Sequence, residues 1–272
     1  MYDKVYLIPS YKCNLNCPHC DIHNIKEIFN EDNFFTILKQ IESKEVILFG
    51  GEPLLNKQIF KRCIETNKIT SISTNLLLLD EEYIELIKKY KINIATSWNP
   101  KRFSELEYHI WKEKLKLLSK NHLSCTVLIT LTQDLFDYDD TDLTMIFQEI
   151  DNTSAVDGIQ FEHLVDNKMP SNFHQKADEW LCKWYQKWNF KIKNITFEQI
   201  NNWCFDCSKV YTLKPSGKLV KGCPQFSKAS ICEECLTCSL SNICKPCSLQ
   251  QNCSFPKGLY DLINNNMVKN GE

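Results

Sequence analysis

Residues 10–21 read SYKCNLNCPHCD, and the spacing of Cys13, Cys17 and Cys20, C-x3-C-x2-C, decides how the rest of the chain is read. Three thiolates on one short loop can hold three irons of a four-iron cluster and leave the fourth iron without a protein ligand. An open coordination position is where chemistry happens, by the logic that separates catalytic from structural metal sites. The competing reading is half a zinc site, which would need a fourth ligand or water. Downstream, Phe49 to Pro53 read FGGEP, and the adjacent pair Gly50-Gly51 stands out in a chain with only 7 glycines.

Around that loop the pattern is strand and helix in alternation. Strands are expected at Val5–Pro9, Val46–Phe49, Ile69–Ser73, Ile92–Ser97, Ser124–Leu131 and Gly158–Leu164. Between them lie helical spacings, such as Phe34, Ile37, Leu38 and Ile41 on one face. The run from Asp80 has an N-cap aspartate, acids in its first turn and lysines in its last. Further helices fit Phe103–Ser119, Thr141–Ile150 and Phe173–Trp188. Six βα units imply a parallel sheet covered by helices, with chemistry at the carboxyl ends of the strands. The cysteine loop follows the first strand, GGEP the second and Ser73-Thr74-Asn75 the third, so all three land on one rim.

Composition sets the outer bounds. With 272 residues, 43% of them hydrophobic, the chain fits one large domain with a small appendage. A net charge of −2 gives no electrostatic case for nucleic acid. No apolar run is long enough to span a bilayer, and MYDKVYLIPS opens as a strand rather than a signal peptide. Fifteen cysteines without a secretion signal point to metal rather than disulfides, and to the cytoplasm. Nine of them lie between Cys204 and Cys253, in a stretch too poor in apolar residues for a core of its own. The expected division is residues 1–194, 195–260 and a C-terminal tail at 261–272. Within the second part, VYTLKPSGKLVKGC reads as a hairpin turning at Pro215-Ser216-Gly217. Cys63, Cys125 and Cys182 sit in helix or strand patterns and read as buried, inert thiols. Trp180, Trp184 and Trp188 recur every four residues as one packed helix face.

The cysteine loop with GGEP resembles the radical S-adenosylmethionine (radical SAM) superfamily, over roughly Val5 to Leu164. The resemblance implies a partial (β/α)6 barrel of the TIM type. It implies a [4Fe-4S] cluster on Cys13, Cys17 and Cys20, with S-adenosylmethionine chelated to the open iron. Reduction would then release a 5′-deoxyadenosyl radical that abstracts hydrogen from a substrate. His19 sits where the family usually has an aromatic residue near the cofactor. Gly50, Gly51, Glu52 and Pro53 match its glycine-rich strand end, Glu52 or a nearby carbonyl facing the cofactor's amino group. Ser73 and Asn75, with Thr74, match a strand end that contacts the ribose; a capping turn explains them equally well. Ser97 in IATSWNP matches another cofactor contact, with Asn99 where aspartate is common and Pro100 where glycine is. About twelve positions beyond that serine relatives carry an arginine for the cofactor carboxylate; here His109 stands there, Lys112 is close, and the only arginines are Arg62 and Arg102. GIQFEHLVD resembles the sixth strand, with Leu164 near the cofactor. Gln160, Glu162 and Leu164 share one face and Phe161 and His163 the other, and either face could line the cavity.

The C-terminal cysteines resemble the SPASM pattern, departing by one residue after Gly217 and one before Cys247. SPASM domains carry two auxiliary [4Fe-4S] clusters. By order, Cys204, Cys207, Cys223 and Cys247 would bind one cluster, and Cys235, Cys238, Cys244 and Cys253 the other. Cys232 is left over and could replace a neighbour. A pair of zinc ribbons is the alternative. Sulfatase-maturating relatives have an aspartate after the position of Cys223; here Pro224 disfavours that activity. The leading expectation is an oxidoreductase that matures a ribosomally made peptide, by crosslinking or epimerisation, with a flavodoxin or ferredoxin as electron donor. A chain that starts at strand one leaves no room for a preceding peptide-recognition domain, which keeps a dehydrogenase or mutase of a sugar, aminocyclitol or other metabolite as the alternative. A zinc-stabilised binding protein is the non-enzyme alternative. No side chain is singled out as general acid or base.

Overall fold

The computed structural model describes residues 1–18, 20, 22, 25–163, 172–188, 210–221, 258–259, 261–262 and 265. Eight strands form one sheet in the order β6-β5-β4-β3-β2-β1-β7-β8. They are β1 (Tyr2–Leu7), β2 (Ser43–Leu48), β3 (Ser71–Thr74), β4 (Asn93–Ser97), β5 (Cys125–Leu131), β6 (Val156–His163), β7 (Val210–Leu213) and β8 (Leu219–Lys221). Every pairing is parallel except β7 with β8. Helices α1 (Glu31–Gln40), α2 (Lys57–Glu65), α3 (Glu81–Tyr90), α4 (Glu105–Lys120), α5 (Gln133–Phe136), α6 (Asp140–Asp151) and α7 (Phe173–Trp188) connect the strands or follow them.

The helix starts are written locally. Asn30, Asn56, Asp80, Ser104, Thr132 and Asp139 each accept a hydrogen bond from a backbone N–H of the first turn, satisfying donors a helix cannot pair itself. Ser104 and Glu107 complete a reciprocal capping box on α4. Strand limits shift from expectation where partners intervene. The ladder of β1 with β7 closes with Leu7 opposite Leu213, its last bond running from the Ile8 N–H to the Leu213 carbonyl at 2.9 Å, and Pro9 has no N–H to continue it.

Parallel register places buried residues side by side. Ile72 meets Ile94, Thr96 meets Val127, and Val127 meets Ile159, all buried under the helices. Trp180 and Trp184 of α7 pack there against Phe161 and Phe147, as their four-residue spacing predicts. Cys63 and Cys125 are core thiols, and Cys182 is half-buried.

The opposite face, with Tyr6, Ile47, Ser73, Ser97, Gln160 and Glu162, stays half-buried. The sequence left both faces of β6 open as the cavity wall; the packing of Phe161 onto Trp180 decides for Gln160 and Glu162. This face is concave. The positive charge of Lys4 on β1 bears on the Glu162 carboxyl of β6. Five strand spacings of a flat sheet would separate them by roughly 24 Å, so the sheet curls.

The hairpin expected around Pro215 forms, with Leu213 opposite Leu219 and the Gly217 N–H donating to Lys214 at 2.9 Å. Its first strand pairs with β1, so the hairpin is part of the main sheet and covers what would otherwise be the β1 edge. The eight auxiliary-cluster cysteines, Cys204, Cys207, Cys223, Cys235, Cys238, Cys244, Cys247 and Cys253, and Cys232, lie outside the described residues. Among the described residues no helix is long and apolar enough to cross a membrane.

Candidate active site at the strand-end rim

The cysteine loop leaves β1 and is gripped by the turn after β2. Gly51 N–H donates to Ser10 O at 3.0 Å, and Glu52 N–H to Lys12 O at 2.9 Å. Both glycines are required by that approach. Gly50 has φ 136°, and a Cβ on Gly51 would sit 2.0 Å from Lys12 O. The pair thus brings backbone against the backbone of the cysteine loop itself.

Glu52 ties in the third loop. It is 4% exposed, and its carboxylate accepts from Leu54 N at 2.9 Å, Thr74 Oγ1 at 2.6 Å and Asn75 N at 2.8 Å. Burial pushes its carboxyl above the usual range, against the pull of these hydrogen bonds and the charge of Arg102. Asn75 completes the circuit: its Nδ2 donates to Asn14 Oδ1, at 2.8 Å, and its Oδ1 accepts from Leu77 N, at 3.0 Å. Asn75 thus closes a turn within its own loop, while Asp80 caps the helix that follows, and it adds a tether to the cysteine loop that sequence spacing did not suggest. Pro53 opens a short 3-10 turn, Pro53–Leu55, and is buried.

Cys17 is buried; Cys13 and Cys20 are half-exposed. Burial raises the Cys13 and Cys17 thiols, and the charge of Arg102 lowers both. Leu15 N–H donates to Cys13 Sγ at 3.4 Å, the kind of contact that tunes a thiolate ligand. Among the described residues no group of three or more His, Cys, Asp and Glu side chains could hold a single metal ion. From the far side, Ser216 Oγ donates to the Glu27 carboxylate, whose charge, after burial, also raises the Tyr11 hydroxyl, and Asn33 Nδ2 donates to Ser216 O at 2.9 Å. The hairpin turn is thereby latched beside the loop.

Ser73 and Ser97 stand half-buried on the concave face at the ends of β3 and β4. Glu162, on the same face, touches solvent yet is enclosed by protein, and desolvation raises its carboxyl against the charges of Lys4 and Arg102. His109 is elsewhere. It is exposed on α4, in an outer groove of about 370 Å³ shared with Lys112 and Glu149. His19 and Leu164 lie outside the described residues.

Two rim residues carried little weight in the sequence. Asn99, 2% exposed, donates Nδ2 to Thr130 O at 2.6 Å and accepts from Thr130 N at 3.0 Å. An aspartate cannot make both bonds, so the departure from the family residue has a structural reason. Arg102 ends the turn that Asn99 begins, its N–H donating to Asn99 O at 3.2 Å. Its signal was its rarity as one of two arginines.

The model of the radical SAM superfamily matches residues 7–135. This chain carries a radical SAM domain. Over 176 residues the chain is 23% identical to the radical SAM cyclopropyl synthase TigE of Paramaledivibacter caminithermalis, covering 51% of this chain and 37% of that one. It is also 32% identical over 100 residues to an uncharacterized protein of Archaeoglobus fulgidus, covering 34% of this chain and 24% of the other. The matched part thus spans well under half the length of either relative. In fold, the chain is similar to native anSMEcpe with bound AdoMet, at TM-score 0.74, and to a polyhistidine-tagged form of the same protein, at 0.71. Each shares 16% identity and 98% coverage of both chains, a likeness of fold.

Proposed function

We propose that this chain is a radical SAM enzyme with a partial (β/α)6 barrel, holding a [4Fe-4S] cluster on Cys13, Cys17 and Cys20 and S-adenosylmethionine at its concave face. The observation that carries this reading is the grip on the cysteine loop. Gly51, Glu52, Thr74, Asn75 and Asn14 fix three loops around thiols that already receive one backbone N–H. Such a site is prepared for thiolates that each take one iron, with the cofactor in the remaining space. The chemistry supplied there is reductive cleavage of the sulfonium, giving a carbon radical that removes hydrogen from the substrate.

The residues present have defined tasks in this scheme. Leu15 N–H stabilises negative charge on Cys13 Sγ. Ser73 and Ser97 offer hydroxyls to the sugar of the cofactor at two neighbouring strand ends. The apolar layer beneath, from Val5 to Phe161, closes the site to water from the helix side. Gln160 and Glu162 are polar groups on the wall where a substrate would lie.

For the substrate, the favoured class is a ribosomally made peptide, matured by bond formation or epimerisation. Two auxiliary [4Fe-4S] clusters on the C-terminal cysteines would carry an electron away from the substrate radical. The cysteine spacing supports that part, and the cyclopropyl synthase relative supports carbon–carbon bond formation. The proposal includes a flavodoxin or ferredoxin donor, which the family resemblance implies, and a cytoplasmic setting, which the fifteen cysteines support.

Anaerobic reconstitution tests the reading. The expected product is a brown protein with about twelve irons, of which about four are lost when Cys13, Cys17 and Cys20 are replaced by alanine. With dithionite and S-adenosylmethionine the parent should form 5′-deoxyadenosine and the triple variant none. A colourless protein containing zinc would sink the proposal. A co-encoded precursor peptide left unchanged in mass and stereochemistry, while 5′-deoxyadenosine accumulates, would remove the peptide substrate.

A further inference from the structure

Glu162 stands near the carboxyl end of β6, on a strand fixed from two sides. It pairs with Thr130 of β5, whose backbone is clamped by the Asn99 amide at 2.6 and 3.0 Å. Its neighbour Phe161 packs on Trp180 at the helix side, ring centroids 5.6 Å apart, so strand alternation turns the Glu162 side chain to the concave face. Gln160, two positions back, and Leu128 and Thr130 on β5 share that face. β6 is the outermost strand of the sheet on its side and runs in the same direction as β1. The carboxylate therefore lies at the margin of the concave face, towards the rim where the strand ends gather.

Protein encloses this carboxylate, yet among the described residues it makes no hydrogen bond and no ion pair. Glu52, by contrast, accepts from Leu54, Thr74 and Asn75. The positive charges that bear on Glu162 are committed elsewhere. Lys4 Nζ pairs with Glu45 Oε2 at 2.9 Å, and the Arg102 charge is shared with Cys13, Cys17 and Glu52. Acidic groups thus outnumber basic ones around this face, and desolvation already lifts the Glu162 carboxyl. An enclosed carboxylate without a bonded partner is costly to keep ionised, and a cation brought by a ligand removes that cost.

We infer that Glu162 selects the substrate by binding an ammonium group of the molecule that gives up hydrogen, either an amine of a peptide or that of a small metabolite. This rests on the radical SAM reading above and names the chemistry its substrate must carry.

The test is a ligand-observed NMR titration of the reconstituted full chain, in the presence of S-adenosylmethionine, with n-butylamine, a cation at neutral pH, and n-butanol, its uncharged counterpart. The parent should bind the amine about ten- to a hundredfold more tightly than the alcohol. Glu162→Gln should abolish the preference and Glu162→Asp restore part of it, both with the parent's iron content, visible spectrum and affinity for S-adenosylmethionine. Two end-blocked alanine pentapeptides, with lysine or norleucine at the centre, separate the sources. A preference for the lysine peptide that Glu162→Gln removes assigns the ammonium to a peptide, and a preference confined to the free amine assigns it to a metabolite. No preference for the amine in the parent, or the same preference in Glu162→Gln, overturns the inference. Equal weakening of amine and alcohol, or loss of iron in both variants, makes Glu162 structural and overturns it too. So does weakened binding of S-adenosylmethionine at unchanged iron, which gives the carboxylate to the cofactor. A parent that selects the amine but forms no 5′-deoxyadenosine with dithionite leaves the ammonium site standing and overturns the function proposed above.

Discussion

Replacing Asn99 by aspartate keeps the shape of the side chain and removes the donor that meets Thr130 O at 2.6 Å. The bond accepted from Thr130 N, at 3.0 Å, survives. At neutral pH an ionised oxygen would then face the Thr130 carbonyl, at a position only 2% exposed. The lost bond is worth about 1 kcal/mol and the orphaned carbonyl about 1–3 more, so a cost of about 3 kcal/mol is expected. Protonation restores a donor and should reduce the cost to less than about 1 kcal/mol. The difference of about 2–3 kcal/mol corresponds to raising the introduced carboxyl by about two units over its unfolded value of about 3.9, at 1.36 kcal/mol per unit. Between those values the folded variant binds more protons than the unfolded one. Its stability relative to the parent is therefore highest below about pH 4, falls through about pH 6, and is level above that. Urea melts of parent and Asn99→Asp from pH 4.5 to 7.5 would read this directly. A stability difference that does not grow with pH would refute the account of the amide as a two-way clamp on β5.

Gly51→Ala puts a Cβ 2.0 Å from Lys12 O, so the turn must withdraw from the cysteine loop; a loss of about 1–3 kcal/mol is expected. Iron bound after reconstitution should fall with it, by colorimetric assay. Glu52→Gln turns one accepting oxygen into a donor facing either an N–H or a hydroxyl, and should cost about 2 kcal/mol in thermal or urea melts. Stability equal to the parent would mean that the carboxylate does not bind the three loops. Asp178 accepts from Gly258 N at 2.8 Å and Leu259 N at 3.1 Å, so Asp178→Ala should speed proteolytic cleavage after residue 221 while leaving the 1–163 fragment resistant.

What the chain wrote locally was legible. The alternation of strands and helices, the Asp80 cap, the hairpin at Pro215 and the tryptophan face of α7 each depend on neighbours within a few positions, and each appears where its pattern placed it. The cysteine spacing and GGEP were enough to name the domain that residues 7–135 match. Local pattern did not name partners. Gly50 and Gly51 stood out by rarity, and the tertiary structure adds that their backbone meets Ser10 and Lys12.

Register and curl decided the remainder. Asn99 meets Thr130 across 31 positions of chain, and Asn75 meets Asn14 across 61, distances at which periodicity carries no information. Which face of β6 is open depends on Trp180 packing beneath Phe161, not on the alternation that both faces share. The place of His109 has the same cause. Counting along the chain selected it for the cofactor, and the tertiary structure leaves it exposed on the outer side of α4, while a proline, a left-handed lysine and an amide pinned to the next strand set the backbone of Arg102 at the rim.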